Sequence, residues 1–167
     1  MKKNITTVGE RFEIHNINWD QRSGMIIRGL SIEPEFLSRL LFEISKNGIS
    51  VDMVIQNYVS SDSVTVSLLF GSHYFSKRKL SCIKREINNV YNNKWDVEIV
   101  ENLIKVVIQG HGLRTCPEIA TKIFRKFAKD GQNIEMLSIG ENEVSLVFLK
   151  NPRLESLLNE ITGNGFN

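Results

Sequence analysis

The chain contains one segment twice, and this repeat restricts its possible folds more than any other feature. GISVDMVIQN (48–57) is matched 83 residues later by GQNIEMLSIG (131–140). At the same offset, PEFLSRLLFEISKNG (34–48) is matched by PEIATKIFRKFAKDG (117–131). Self-similarity at a fixed spacing indicates two copies of one supersecondary unit.

Each copy predicts the same four opening elements. A run rich in β-branched residues that stops at glycine, MIIRG (25–29) or KVVIQG (105–110), predicts a buried strand. The proline-headed segment that follows carries apolar residues at three-to-four spacing and ends at glycine, which predicts a helix. The duplicated segment and the run VTVSLLF (64–70) or VSLVFL (144–149) then predict a hairpin.

The two copies end differently. The first continues into a helix at about 76–92 and a strand, KWDVEIV (94–100), whereas the second ends after a helix, NPRLESLLNEI (151–161). TTVGERFEIH (6–15) is the remaining strand-like segment, and it could complete the second copy. Each copy then reads strand, helix, strand, strand, helix, strand.

This order predicts an α+β fold made of two ferredoxin-like βαββαβ domains, with helices on one face of each four-stranded antiparallel sheet. The first domain, 22–101, is inserted into the second, which combines 1–21 with 102–167. We also expect the strands that a helix connects to be parallel neighbours.

Composition limits the possible functions. The 167 residues are 41% hydrophobic, enough for a core, and the net charge of +2 comes without a long basic block. There is therefore no electrostatic reason to propose nucleic acid as a partner. Two cysteines without CxxC spacing favour a reducing compartment, the cytoplasm. No apolar run approaches the roughly 18 residues of a membrane helix, so neither an export signal nor a membrane segment is expected.

The aligned segments resemble the tandem ACT domains in the regulatory region of bacterial aspartate kinases. VDMVIQN (51–57), NIEMLS (133–138) and Glu141 keep the motifs of that family in order. The resemblance extends over nearly the whole chain. It implies either the regulatory region of such a kinase or the separately translated small subunit that some bacteria make. It also implies no catalysis and no cofactor for this chain alone, since nothing in it corresponds to the kinase domain.

The resemblance implies three partners. In the family, lysine or threonine bound at ACT domains inhibits the kinase, and ACT domains pair between chains. We therefore expect a free amino acid, an aspartate kinase catalytic domain or subunit, and a second copy of this chain. We expect neither nucleic acid, membrane nor metal.

The resemblance also places an amino-acid effector site at the duplicated strand. The candidate residues are Val51, Asp52, Gln56, Asn57, Asn133, Ile134 and Glu141. A ligand ammonium needs carboxylate or carbonyl oxygens, and a ligand carboxylate needs the N–H groups of a helix N-terminus. Taken without the family, Asp52 reads as a solvated strand residue, and Gln56 and Asn57 as amides that end a strand.

The turns before the helices depart from the family. Where its first domain has D-x-P-G, the chain has IEPE (32–35), so Ile32 replaces an aspartate and Glu35 a glycine. Glu118 replaces the corresponding glycine of the second domain. An acid here suits the helix dipole but repels a ligand carboxylate. We therefore expect an effector site whose affinity is weakened, lost or redirected.

Three alternatives remain open. The first is an ACT dimerisation scaffold that has lost its ligand. The second is an RNA-recognition module, which would display stacking aromatics on its central strands, where this chain has phenylalanine only at Phe70 and Phe148. The third is a small enzyme, for which no catalytic motif is found. His111, in GHGL, is interpreted as a loop residue because no second histidine or cysteine has ligand spacing.

Overall fold

The computed structural model describes residues 3–7, 10–30, 34–61, 63–71, 77–90, 94–111 and 117–164. Its elements in chain order are β1 (Lys3–Thr7), β2 (Glu10–Leu30), α1 (Pro34–Lys46), β3 (Val51–Ser60), β4 (Ser63–Gly71), α2 (Lys77–Val90), β5 (Asp96–His111), α3 (Pro117–Lys129), β6 (Met136–Ile139), β7 (Glu143–Leu149) and α4 (Pro152–Asn164). The fold is α+β, with the strand order β3-β4-β2-β5-β7-β6 and β1 paired to β2.

The chain folds into two compact units. Unit 1 combines Met1–Asp20 with Leu103–Asn167, and unit 2 is Gln21–Asn102. Strands β2 and β5 each run through both units, with one part in unit 1 and the other in unit 2. The interpretation of the two units as ACT domains stays a prediction.

Unit 2 packs α1 and α2 against its strands. The apolar face of α1, with Phe36, Leu40 and Ile44, lies in one core with the inward side chains of β4. The first part of β5 is tied to β2 by Arg28, whose Nη1 lies 3.0 Å from Asp96 Oδ2 and whose Nη2 lies 2.6 Å from Glu98 Oε2. Hydrogen bonds to Glu98 and then Asp96 raise the pKa of Arg28 above its usual value. The fork therefore stays charged and joins the two strands.

Unit 1 packs α3 and α4 against its strands. Residues Ile119, Ile123 and Phe127 of α3 form one core with the alternating inward side chains of β5 and β7. The rings of Phe127 and Phe148 lie 4.6 Å apart between centroids, and both are fully buried. Lys126 Nζ on α3 lies 2.7 Å from Glu160 Oε1 on α4. Apolar packing thus holds the two helices on this sheet, and a surface ion pair joins them to each other.

Glycine ends α1 and α3 at equivalent positions of the repeat. Gly48 and Gly131 have φ values of 63° and 71°, in the left-handed region that a side chain disfavours. The N–H of Gly131 donates to Ala128 O at 2.9 Å, and the next N–H, from Gln132, donates to Phe127 O at 3.0 Å. These bonds cap carbonyl groups that the helix leaves without partners. The predicted helix ends are therefore confirmed.

The expectation that strands connected by a helix are parallel neighbours in the sheet is wrong. Strands β2 and β3, which α1 connects, both pair antiparallel with β4, and β5 and β6, which α3 connects, both pair antiparallel with β7. In each unit the helical connection passes over one strand position, and the returning strand of the hairpin fills it. A strand placed there pairs antiparallel on both sides.

Two strands are longer than the sequence patterns predict. The predicted strand at 6–15 divides between β1 and the 21-residue β2, with 8–9 outside the described residues, and β1 pairs antiparallel with β2. The predicted strand at 25–29 lies within β2. The strands expected at 94–100 and 105–110 are both parts of β5. The polar residues between them stay extended because the ladder uses backbone groups, whatever the side chains are. His111, expected in a loop, is the last residue of β5.

Within the part of the chain that the structure describes, no helix combines the length and the apolar character needed to cross a membrane.

Candidate functional site

Asp52, the acid of the first motif, is held in an ion pair. It is the extra residue of a bulge in β3, between Val51 and Met53. Arg22 on β2 donates from Nε to Asp52 Oδ2 at 3.2 Å, with the two side chains 16% and 30% exposed respectively. The carboxylate that the resemblance assigns to a ligand ammonium is therefore already in contact with a cation.

The other candidates on β3 do not gather around Asp52. Val51 packs against the core of unit 2. Gln56 and Asn57 are exposed, and since neighbouring strand residues point to opposite faces, their side chains diverge. Asn57 also lies five residues, or about 16 Å of extended strand, from Asp52. The structure thus distributes these four candidates along β3 instead of forming one site from them.

The second motif lies at a groove in unit 1. The groove has a volume of about 420 Å³ and runs between the end of α3 and the start of β6. It is lined by Phe124, Ala128, Gln132, Asn133, Ile134, Glu135, Met136 and Leu137. Two of the candidate residues, Asn133 and Ile134, are therefore brought together with an acid, an amide and apolar side chains.

One wall of this groove is fixed by hydrogen bonds. Gln132 is 9% exposed, and its Oε1 accepts a bond from Asn151 Nδ2 at 2.9 Å. Its Nε2 donates to the backbone oxygen and to Oδ2 of Asp130, both at 3.3 Å. The backbone N–H of Glu135 donates to Val147 O at 2.8 Å and leaves the exposed carboxylate at the groove. The groove thus offers an exposed acid near an amide that hydrogen bonds hold in place.

Glu135 is a site candidate that the sequence interpretation missed. The repeat aligns Asp52 with Glu135, so the signal was present in the alignment itself. Phe124 and Ala128 belong to a predicted helix, and helical spacing does not show which of its residues border a groove. By contrast, Glu141 lies exposed in the turn between β6 and β7 and does not line the groove.

Of the three residues that depart from the family pattern before the helices, the structure describes Glu35 and Glu118. Glu35 is exposed in the first turn of α1 and forms an ion pair with Arg39 one turn further on. Glu118 is exposed in the first turn of α3. Ile32 and the turn residues 115–116 lie outside the described residues. The acids therefore stand at the helix starts, as expected, and one is partly compensated by a neighbouring cation.

A second groove lies in unit 2, between α1 and α2. Its volume is about 350 Å³, and it is lined by Glu43, Lys46, Asn47, Glu86 and Asn89. Its polar groups largely bond to one another, since Asn47 Nδ2 donates to Glu86 Oε2 at 2.8 Å and Lys46 Nζ to Glu43 Oε1 at 3.1 Å. It contains none of the candidate residues.

Comparison with known proteins identifies the relatives of this chain. No protein-family model matches it. It is 33% identical over 125 residues to an aspartate kinase of Pseudomonas fluorescens (strain SBW25), and the match covers 74% of this chain and 29% of that protein. The chain therefore spans less than a third of the length of this relative.

Solved structures share the fold. Clostridium acetobutylicum aspartate kinase superposes with a TM-score of 0.76 at 26% identity, over 92% of this chain and 35% of that one. The ligand-free regulatory subunit of aspartate kinase from Thermus thermophilus superposes with a TM-score of 0.75 at 21% identity, over 89% of this chain and 96% of that one. In sequence the chain is a relative of aspartate kinases, and in fold it is similar to the regulatory subunit from Thermus thermophilus.

Proposed function

We propose that this chain is an amino-acid-sensing regulatory module of an aspartate kinase, acting in the cytoplasm in lysine or threonine feedback control, with a partly degraded effector site. On this proposal 22–101 and 1–21 with 102–167 are ACT domains, which fits the two compact units. The observation that carries the proposal is the groove of unit 1, because Asn133 and Ile134 of the retained NIEMLS motif line it.

The groove suits a free amino acid. The Glu135 carboxylate offers the opposite charge to an ammonium, and the Asn133 amide offers both a donor and an acceptor. Phe124, Ala128 and Leu137 provide apolar contact for a side-chain stem. This acid, amide and apolar surface match the three parts of a lysine or threonine molecule.

Two features support weakened binding. Arg22 competes with any ligand ammonium for Asp52 in unit 2. Glu35 and Glu118 add negative charge at the helix starts, where a ligand carboxylate would otherwise meet favourable dipoles. Glu35 and Glu118 lie one in each unit, so Arg22 is the difference between them. Affinity in unit 2 is therefore expected to be lower than in the groove of unit 1.

Calorimetric titration of lysine and threonine tests this function. We expect dissociation constants weaker than millimolar, corresponding to less than about 4.1 kcal/mol of binding free energy. Glu135→Gln should abolish the binding, because it removes the charge opposite the ammonium. Glu141→Gln is the matched control, since Glu141 is an exposed acid outside the groove. Binding at millimolar affinity or better would retain the sensing function and reject the degraded site.

The kinase partner is tested separately. Co-expression with an aspartate kinase catalytic domain or subunit should give a complex that co-purifies through affinity and size-exclusion steps. Failure to bind both the kinase and the amino acids would contradict the proposed function.

A ligand-free dimerisation scaffold is the second candidate. The Arg22–Asp52 ion pair favours it, because the pair stabilises the ligand-free state of that strand. The titration distinguishes the two functions, since a scaffold binds neither lysine nor threonine while still binding the kinase. RNA recognition receives no support from the central strands, where Phe70 and Phe148 are fully buried in the cores and do not present a stacking surface.

A further inference from the structure

Two histidines lie in contact in unit 1 although they are far apart in the sequence. His15 is on β2 and His111 is the last residue of β5, and these strands are neighbours in the sheet. Their ring centroids are 4.5 Å apart with an interplanar angle of 78°. Both residues are exposed. Each ring therefore has solvent on one side and the other imidazole beside it.

A row of side-chain hydrogen bonds supports the strands next to this pair. Asn16 Nδ2 donates to Gln109 Oε1 at 3.4 Å, and Gln109 Nε2 donates to Glu143 Oε2 at 3.5 Å. Ser145 Oγ in turn donates to Glu143 Oε1 at 2.8 Å. The row crosses β2, β5 and β7, so the backbone positions of the histidines are held by the sheet. The two imidazoles are thus side chains of neighbouring strands that hydrogen bonds hold together.

Two adjacent imidazoles can supply two ligands to one metal ion. Neutral imidazole nitrogen suits Zn²⁺, Ni²⁺ and Cu²⁺, and it binds Zn²⁺ at about 2.0–2.1 Å. Among the residues that the structure describes, no group of three or more His, Cys, Asp and Glu side chains is placed to hold a metal. The pair would thus supply two ligands and leave the remaining positions to water.

We propose that His15 and His111 together bind one divalent transition-metal ion of the class that prefers imidazole. The ion links β2 to β5 within unit 1. Within unit 1, β2 lies next to β5, and β5 lies next to β7. An ion that joins His15 to His111 therefore strengthens the attachment of β2 to the other strands of this unit. This site is separate from the amino-acid groove and does not depend on the proposed function.

Thermal unfolding of the full chain with and without Zn²⁺ tests the proposal. Zn²⁺ should raise Tm, because an ion that binds the folded state stabilises it, and EDTA should reverse the rise. His15→Gln and His111→Gln should each weaken Zn²⁺ binding at least tenfold, since one imidazole remains. His73→Gln is the matched control, because it removes the third histidine of the chain, and it should keep the full rise.

Paramagnetic line broadening checks the ligands without any substitution. Substoichiometric Cu²⁺ should broaden the imidazole NMR signals of His15 and His111 together and leave that of His73 sharp. This measurement stays decisive if a variant fails to fold. Broadening of a single histidine, or a Tm rise that survives in His15→Gln, would overturn the proposal and leave the contact as plain packing of two rings.

Discussion

The ion pair with Arg22 limits the availability of the Asp52 carboxylate to a ligand. Arg22 reaches it from β2 at 3.2 Å, and both groups are only partly buried. Ion pairs close to the surface contribute about 0.2–1 kcal/mol, so the contact is weak enough for a suitable ligand to replace. Asp52 therefore keeps its ability to bind a ligand ammonium, although Arg22 contacts it.

Replacing Arg22 tests this competition. Arg22→Ala should lower the free energy of unfolding by no more than about 1 kcal/mol, measured by urea denaturation. It should also tighten the binding of lysine, measured by calorimetry, because Asp52 becomes available to the ligand ammonium. The control is Arg39→Ala, which removes the partner of Glu35 and leaves Asp52 in its pair. Equal affinity in Arg22→Ala and the unaltered chain would exclude Arg22 as a competitor.

The core of unit 1 contains a pair of packed aromatic rings, Phe127 and Phe148. Phe148→Ala should cost about 3–5 kcal/mol of unfolding free energy, because it leaves a cavity against Phe127 in a site with no exposure. Phe42→Ala is the matched control, since Phe42 is 59% exposed, and it should change stability by less than about 0.5 kcal/mol. Chemical denaturation of both variants gives the comparison. Similar losses in the two variants would contradict the assigned core.

Helix α4 begins at a cap that also supports the candidate groove. Asn151 Oδ1 accepts from the backbone N–H of Leu154 at 2.8 Å, while its Nδ2 donates to Gln132 Oε1. The first bond satisfies an N–H group that the first turn leaves without a partner. One side chain thus connects the start of a helix to a wall of the groove.

Substitution of Asn151 separates these two roles. Asn151→Ala should cost about 0.5–2 kcal/mol, as is typical for the loss of a cap. Asn151→Asp keeps the capping oxygen and loses the donor to Gln132, so it should stay close to wild-type stability while weakening amino-acid binding. Urea denaturation and calorimetry check the two variants. If Asn151→Asp is as unstable as Asn151→Ala, the cap is not the main contribution of Asn151 to the free energy of unfolding.

Helices could be predicted from the sequence more completely than strands. The proline, the apolar spacing and the glycine of α1 and α3 are local signals, and the structure places both helices at the predicted residues. The extents of β2 and β5 depend on pairing with distant strands, so no local pattern shows that they continue through polar residues. The strand order was missed for the same reason.

The residues of the candidate site likewise fall into those that a local sequence motif shows and those that only the strand order shows. Asn133 and Ile134 could be found because the motif is contiguous. The contact of Arg22 with Asp52, and of His15 with His111, requires the order of the strands, which the repeat alone does not specify. Side chains that act together across a sheet are therefore the part of a site most easily overlooked in a sequence.

At the scale of the whole molecule, the ends of the strand order indicate where a second copy would bind. Strand β3 ends the order on one side, and Tyr58 and Val59 near its C-terminus are 70% and 67% exposed. An edge strand with exposed apolar side chains is a template for pairing with another chain. We therefore predict that the second copy of the chain, expected from the family resemblance, pairs at this edge.

Sedimentation equilibrium tests this prediction. The chain should sediment as a dimer, and Tyr58→Lys should shift it toward monomer by at least tenfold in dissociation constant, because a charge is placed at the paired edge. Phe42→Lys is the control, since it adds the same charge on α1 at an exposed aromatic position. A chain that is monomeric at all concentrations, or one that Phe42→Lys dissociates equally, would contradict this edge as the interface.

The insertion of unit 2 into unit 1 also imposes an order on biosynthesis. All of Gln21–Asn102 is contiguous, so it can fold as soon as it leaves the ribosome. The part of β2 that belongs to unit 1 is synthesised before unit 2, yet its partner region of β5 begins only at Leu103. At about 5–20 residues per second, that strand waits several seconds for its neighbour. Nascent chains halted when Asn102 has just left the ribosome should therefore protect unit 2 from protease while the residues before Gln21 remain cleavable.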